Sequence, residues 1–125
     1  MSNPNKQSGT NWEQAIIHHA RMKGLQAWPL ARRGPTDPGD LVIVTPEGDH
    51  IVVEARCRQQ MGVHRELEKA IGQTAGADLP FVPLCTVLAW LRYGLKDGNE
   101  RRSRVGEPVI VQRVTDWIDM IAKEE

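Results

Sequence analysis

Two apolar runs, Leu41-Val42-Ile43-Val44 and Ile51-Val52-Val53, stand either side of Pro46-Glu47-Gly48-Asp49. β-Branched residues flanking a proline- and glycine-containing break predict two buried strands joined by a turn. Acids stand at the borders of both runs. Asp40 directly precedes Leu41, and Glu54 directly follows Val53. A carboxylate in such a setting is costly unless it is paired or bound to a cation. These strands therefore constrain both the fold and the chemistry of the chain.

The rest of the sequence supplies what must cover them. Thr10 and Glu13 have the spacing of a capping box, predicting a helix from Thr10. Trp12, Ile16 and Ala20 give it an apolar stripe, and Gly24 ends it. Leu25 to Leu30 reads as a first strand. Ala31 to Gly39, with two prolines and two glycines, reads as a loop in which Asp37 is a turn former. The second strand is expected from Asp40 to about Thr45, and the third from His50 to Cys57. His64 to about Ala75 carries Leu67, Ile71 and Ala75 at helical spacing. Leu84 to Leu91 is a fourth strand. Gly94 to Gly106 reads as a long charged loop or an extended hairpin end. Pro108 to Val114 is a fifth strand, and Thr115 is expected to cap a last helix. The order α-β-β-β-α-β-β-α predicts a single α/β domain with a central mixed five-stranded sheet flanked by helices. Residues 1–9 read as a flexible tail and residues 10–125 as the domain.

The 125 residues suit one core. No apolar run reaches membrane-spanning length, and the polar N-terminus is not a secretory signal. Cys57 and Cys85 make neither a disulfide framework nor a zinc pattern. They read as reduced core residues of a cytoplasmic protein. Net charge is +0, which argues against a uniformly basic nucleic-acid binder. The positive charge is clustered nonetheless, at Arg32-Arg33, at Arg56, Arg58, His64 and Arg65, and at Arg101-Arg102-Arg104. Phosphates respond to local potential more than to the total.

Side chains alternate across a strand, so Val52, Glu54 and Arg56 share one face. Ile51, Val53, Ala55 and Cys57 share the other, which suits packing on a helix. Asp40 and Glu54 can converge on one divalent ion, with the carbonyl of Ala55 as a further ligand. Magnesium keeps several waters, so two carboxylates and a carbonyl are enough protein ligands. Arg56 is placed to neutralise a phosphate or orient a water. Glu13 can belong to this site, to a capping box, or to both. The plain alternative for Glu54 is a structural ion pair with Arg56.

The order of these motifs resembles the PD-(D/E)XK nuclease superfamily, and within it the archaeal-type and phage-encoded Holliday junction resolvases. The matching segments are Gly9-Thr10-Asn11-Trp12-Glu13, the stretch from Arg33 through Gly39-Asp40-Leu41, and Val52-Val53-Glu54-Ala55-Arg56. The resemblance spans about residues 9 to 121. It implies a restriction-endonuclease-like core and a metal-dependent endonuclease selective for branched DNA. It further implies Mg2+, with Mn2+ as a substitute, held by Asp40, Glu54 and Ala55. Glu13 becomes an outer ligand or water orienter, and Arg56 takes the position where the family usually has lysine. Arginine keeps the charge but not the reach, and it does not deprotonate.

A junction has two symmetry-related scissile strands, so a homodimer in a prokaryotic or phage-infected cell is the implied assembly. Arg32, Arg33, Arg58 and His64 are the expected DNA contacts. The alternatives are a non-catalytic DNA-binding module of the same fold, which Arg56 favours, and a related nuclease acting on other DNA structures.

Overall fold

A computed structural model describes residues 4–30, 41–58, 60–96, 99–104 and 107–123, with side chains for 11–30, 41–58, 60–92 and 107–122. The two apolar runs form β2 (Leu41–Val44) and β3 (His50–Arg58). They pair antiparallel, with Leu41 opposite Val53 and Val44 opposite His50. The turn between them depends on Gly48, whose φ of +93° suits a residue without a Cβ. Its N–H donates to the Thr45 carbonyl at 2.9 Å, and the Asp49 N–H donates to Thr45 Oγ1 at 3.0 Å.

β1 (Gln26–Pro29) lies antiparallel on the far side of β2. β4 (Pro83–Lys96) lies parallel to β3, from His50 opposite Pro83 to Arg58 opposite Arg92. Parallel neighbours need a crossover, which α2 (Val63–Ala75) supplies. β6 (Val109–Val111) closes the other side of β4 antiparallel. The principal sheet is thus five-stranded, mixed and open, in the order β1-β2-β3-β4-β6. With α1 (Pro4–Met22) and α3 (Val114–Lys123) it makes one α/β domain.

The two faces of the sheet carry separate cores. On one, Leu41, Val53, Cys85, Val87 and Ala89 pack with Ile17 and Ala20 of α1, and Met120 of α3 joins them. This is the face that alternation assigned to helix packing. On the other, Leu88 packs with Leu67 and Ala70 of α2. Leu88 has 0% exposure, and burying such a side chain contributes about 2 kcal/mol.

Several boundaries differ from expectation, among them the last expected strand, which spans Val109–Val111 and not Pro108 to Val114. The first helix begins at Pro4, not Thr10, so Thr10 and Glu13 lie inside it and form no capping box. Proline is a good first-turn residue because its missing N–H has no helical acceptor there anyway. Of the two alternatives for segment 94–106, the structure has the extended hairpin end: β4 continues to Lys96, and β5 (Asn99–Arg104) pairs back on it antiparallel. The last helix starts at Val114, one residue before the expected cap at Thr115. The end of α1 is as expected. Gly24, at φ +85°, donates to the Arg21 carbonyl at 3.0 Å, and Leu25 donates to the Ala20 carbonyl at 3.0 Å. That pair of bonds closes a Schellman turn.

Among the described residues, no helix is long and apolar enough to cross a membrane.

Candidate active site

Glu54 sits in the middle of β3, opposite Leu88 of β4 and next to Val53, which is 2% exposed. It is itself 3% exposed. Its strand position follows from the apolar run before it, because the run fixes register and register fixes which face Glu54 takes. That face looks toward α2, the side of Leu88.

Arg56, two residues on and on the same face, answers the charge. Its Nη1 donates to Glu54 Oε2 at 2.8 Å. The same Nη1 donates to the Ala55 carbonyl at 3.0 Å. Two oxygens proposed from the sequence as cation ligands therefore converge on one point. A guanidinium nitrogen stands there, in the role that a bound cation would take.

The network continues into α2. Arg56 Nε lies 3.6 Å from Glu66 Oε2, and Arg58 Nη1 lies 3.2 Å from Glu66 Oε1. Glu66 is in the first turn of α2, where a carboxylate also faces the positive end of the helix dipole. The sequence reading missed Glu66. A signal was present: the crossover helix between two parallel strands must return over one face of the sheet. An acid in its first turn then lies near polar residues at the end of β3. Trp90, opposite Arg56 in the parallel register, closes the same corner by donating from Nε1 to the Arg58 carbonyl at 3.0 Å.

The other candidates fall as follows. Glu13 is half-buried on α1. Its neighbour Trp12 donates from Nε1 to the Ala89 carbonyl at 2.9 Å, and Ala89 pairs with Ala55. This part of α1 is thereby held at the level of the site, on the opposite face from Glu54. Arg58 has 48% of its side chain exposed, and His64 is exposed on the first turn of α2. Asp40, Arg32, Arg33 and Asp37 lie outside the described residues. Among the described residues, no group of three or more His, Cys, Asp or Glu gathers as a metal cluster.

No known family profile and no curated protein sequence matches this chain.

Two further polar groups have environments of their own. Arg113 grips Glu68 with Nη2 at 2.6 Å and Nε at 3.2 Å, and this hydrogen bond holds the Glu68 carboxyl below its usual range. The pair is solvent-exposed, so it adds little to stability. Burial pushes the Cys85 thiol above its ordinary range, while Gln112, donating at 3.3 Å, acts in the other direction. Cys85 is thus a protonated core thiol.

Proposed function

We propose that the protein is a metal-dependent, structure-selective DNA endonuclease with a restriction-endonuclease-like core, and that it resolves four-way junctions. The observation that carries the reading is the convergence of Glu54 Oε2 and the Ala55 carbonyl on a single cation, Arg56 Nη1, at 2.8 and 3.0 Å. Hard oxygen donors meeting at one point suit magnesium or manganese. Asp40 supplies the second carboxylate. It is covalently joined to Leu41, whose partner across the ladder is Val53, the neighbour of Glu54.

Asp40, Glu54 and the carbonyl of Ala55 are the residues that would hold the ion. When bound, such an ion supplies charge stabilisation on the scissile phosphate and acidifies a water. Arg56 is always protonated and presents a planar fork that matches phosphate oxygens. Glu66 holds Arg56 and Arg58 from the α2 side, which fixes where their charge can be presented. Glu13, on the opposite face of the sheet from Glu54, is left out of this set. Arg32, Arg33, Arg58 and His64 contact backbone phosphates, so recognition is by DNA shape and not by base sequence. Two scissile strands related by symmetry call for a homodimer.

One observation favours a second reading. Arg56 Nη1 already satisfies both oxygens, so on this reading a guanidinium serves permanently where the resembled family has a metal. The protein would then bind branched DNA without cutting it.

The deciding experiment is cleavage of a synthetic four-way junction beside linear duplex, with and without magnesium. Wild type should cut the junction only with the ion. Asp40→Asn and Glu54→Gln should abolish cutting while binding stays nearly intact. Full cleavage by both variants refutes the assignment, and wild-type binding without cleavage in magnesium or manganese selects the second reading.

A further inference from the structure

α3 shows its apolar side to solvent. Val114, Trp117, Ile118 and Ile121 are 71%, 56%, 52% and 44% exposed. Their spacing, i, i+3, i+4 and i+7, is that of the stripe a helix normally buries. The side of α3 that does face the core is narrow. Met120 reaches the α1-side cluster, where its Sδ accepts from Gln112 Nε2 at 3.0 Å. β6 precedes α3 by two residues and adds Val109 and Ile110, 49% and 60% exposed.

We infer that this face is a self-association surface, taking a second copy of the chain about a two-fold axis. Side chains at these exposures present on the order of 500 Å² of apolar surface, the upper end of what a soluble monomer leaves uncovered. It is more than half of the ~800 Å² per partner that a standard interface buries, so the patch can form the centre of a stable dimer.

The patch is self-complementary. It contains no charged side chain, and a two-fold axis through Trp117 and Ile118 sets Val114 of one copy beside Ile121 of the other. The helices then run antiparallel, with each positive helix end near the partner's negative end. Packing is through α3 and not by strand addition, because Pro108 directly precedes the three residues of β6 and shortens its open edge. The choice of a two-fold partner rests in part on the proposed cutting of two symmetric strands, whereas the exposed stripe does not.

The test is the solution mass of the full chain by sedimentation equilibrium, with junction cleavage measured in parallel. Wild type should have about twice the 14.0 kDa chain mass. Ile118→Glu and Trp117→Glu should halve it while keeping the far-ultraviolet circular dichroism of wild type. Val82→Glu, at a position 90% exposed outside the face, should leave the dimer intact. Three results overturn the inference. They are a monomeric wild type, which would leave the face for a different partner; aggregates without a defined mass; and a dimer that survives both α3 variants. The two proposals fail separately. A dimer that never cuts sinks the nuclease reading alone, and a monomer that cuts both strands sinks the interface alone.

Discussion

Replacing Arg56 by methionine separates a metal site from a structural ion pair. Methionine keeps the unbranched stem and removes the charge. In the wild type, Glu54 is 3% exposed and Arg56 keeps 15% of its side chain exposed, at 2.8 Å separation. Removing one partner of a buried pair costs about 3–5 kcal/mol, because a charge is left behind in the interior. Both residues make further contacts, and Arg56 is not fully buried, so the low end applies. A loss of about 3 kcal/mol in a chain of this size lowers Tm by roughly 12 °C.

That loss should appear in EDTA. If Glu54 and the Ala55 carbonyl are cation ligands, magnesium should repair it. A ligand at 100 times its Kd returns about 2.7 kcal/mol, or roughly 10 °C. Wild type should gain less, because the ion must first displace Nη1. The Glu54→Gln, Arg56→Met double variant has no carboxylate at position 54 and should not respond. Scanning calorimetry of the three proteins, each in EDTA and in magnesium, reads all six states. Arg56→Met melting at the same temperature in both buffers would refute the shared-cation argument. An equal magnesium response in the double variant would refute it too, by showing that the ion binds elsewhere.

Two other outcomes bear on the nuclease reading. Arg56→Lys should retain or raise junction cleavage, since lysine keeps the charge and is the usual residue at this position in the resembled family; a dead Arg56→Lys beside an active wild type would mean that the site depends on arginine geometry. Arg33→Ala should lower the slope of log affinity against log salt by about 1 and do so equally on two junctions of unrelated sequence, because phosphate contacts release counterions without reading bases. An unchanged slope in a salt titration counts against backbone contact by Arg33.

What was legible in the sequence follows from the range of each interaction. The β2–β3 hairpin was readable because the apolar runs, the Pro46–Asp49 turn and strand alternation are all local and agree with one another. The element order made a mixed sheet flanked by helices legible, but not that α2 crosses between the parallel strands β3 and β4. The start of α1 was misread because Thr10 and Glu13 have capping-box spacing, while Pro4, an equally good start signal, lies in a polar stretch without apolar periodicity. Asn-Glu-Arg-Arg-Ser-Arg has no alternation, so the sequence left a charged loop and an extended hairpin end both open for β5; its pairing with the end of β4 decides for the hairpin. Glu54 and Arg56 were found by alternation within one strand. Glu66 was missed because its place beside them depends on how α2 lies over the sheet.

The charges at this corner explain why an arginine can stand where a cation-binding site is proposed. Glu54 and Glu66 are matched in number by Arg56 and Arg58, so the described cluster is neutral and tolerable in a half-buried place. Asp40, added on the proposed reading, leaves one negative charge over. A divalent ion then turns the sum to one positive charge, and a phosphodiester anion brings it to zero. On that reading Arg56 is the cation nearest to that phosphate. A corner with one negative charge attracts the ion and repels a phosphate, so arrival of the ion should favour arrival of the phosphate. On that reading Glu66 would keep a carboxylate on the arginines from the α2 side while Glu54 held the ion. A lysine at position 56 could give one hydrogen-bonding nitrogen to Glu54 but could not at the same time span to Glu66 from a second nitrogen, as Nε and Nη1 of Arg56 do. Arginine at position 56 is therefore the residue that meets both acids at once.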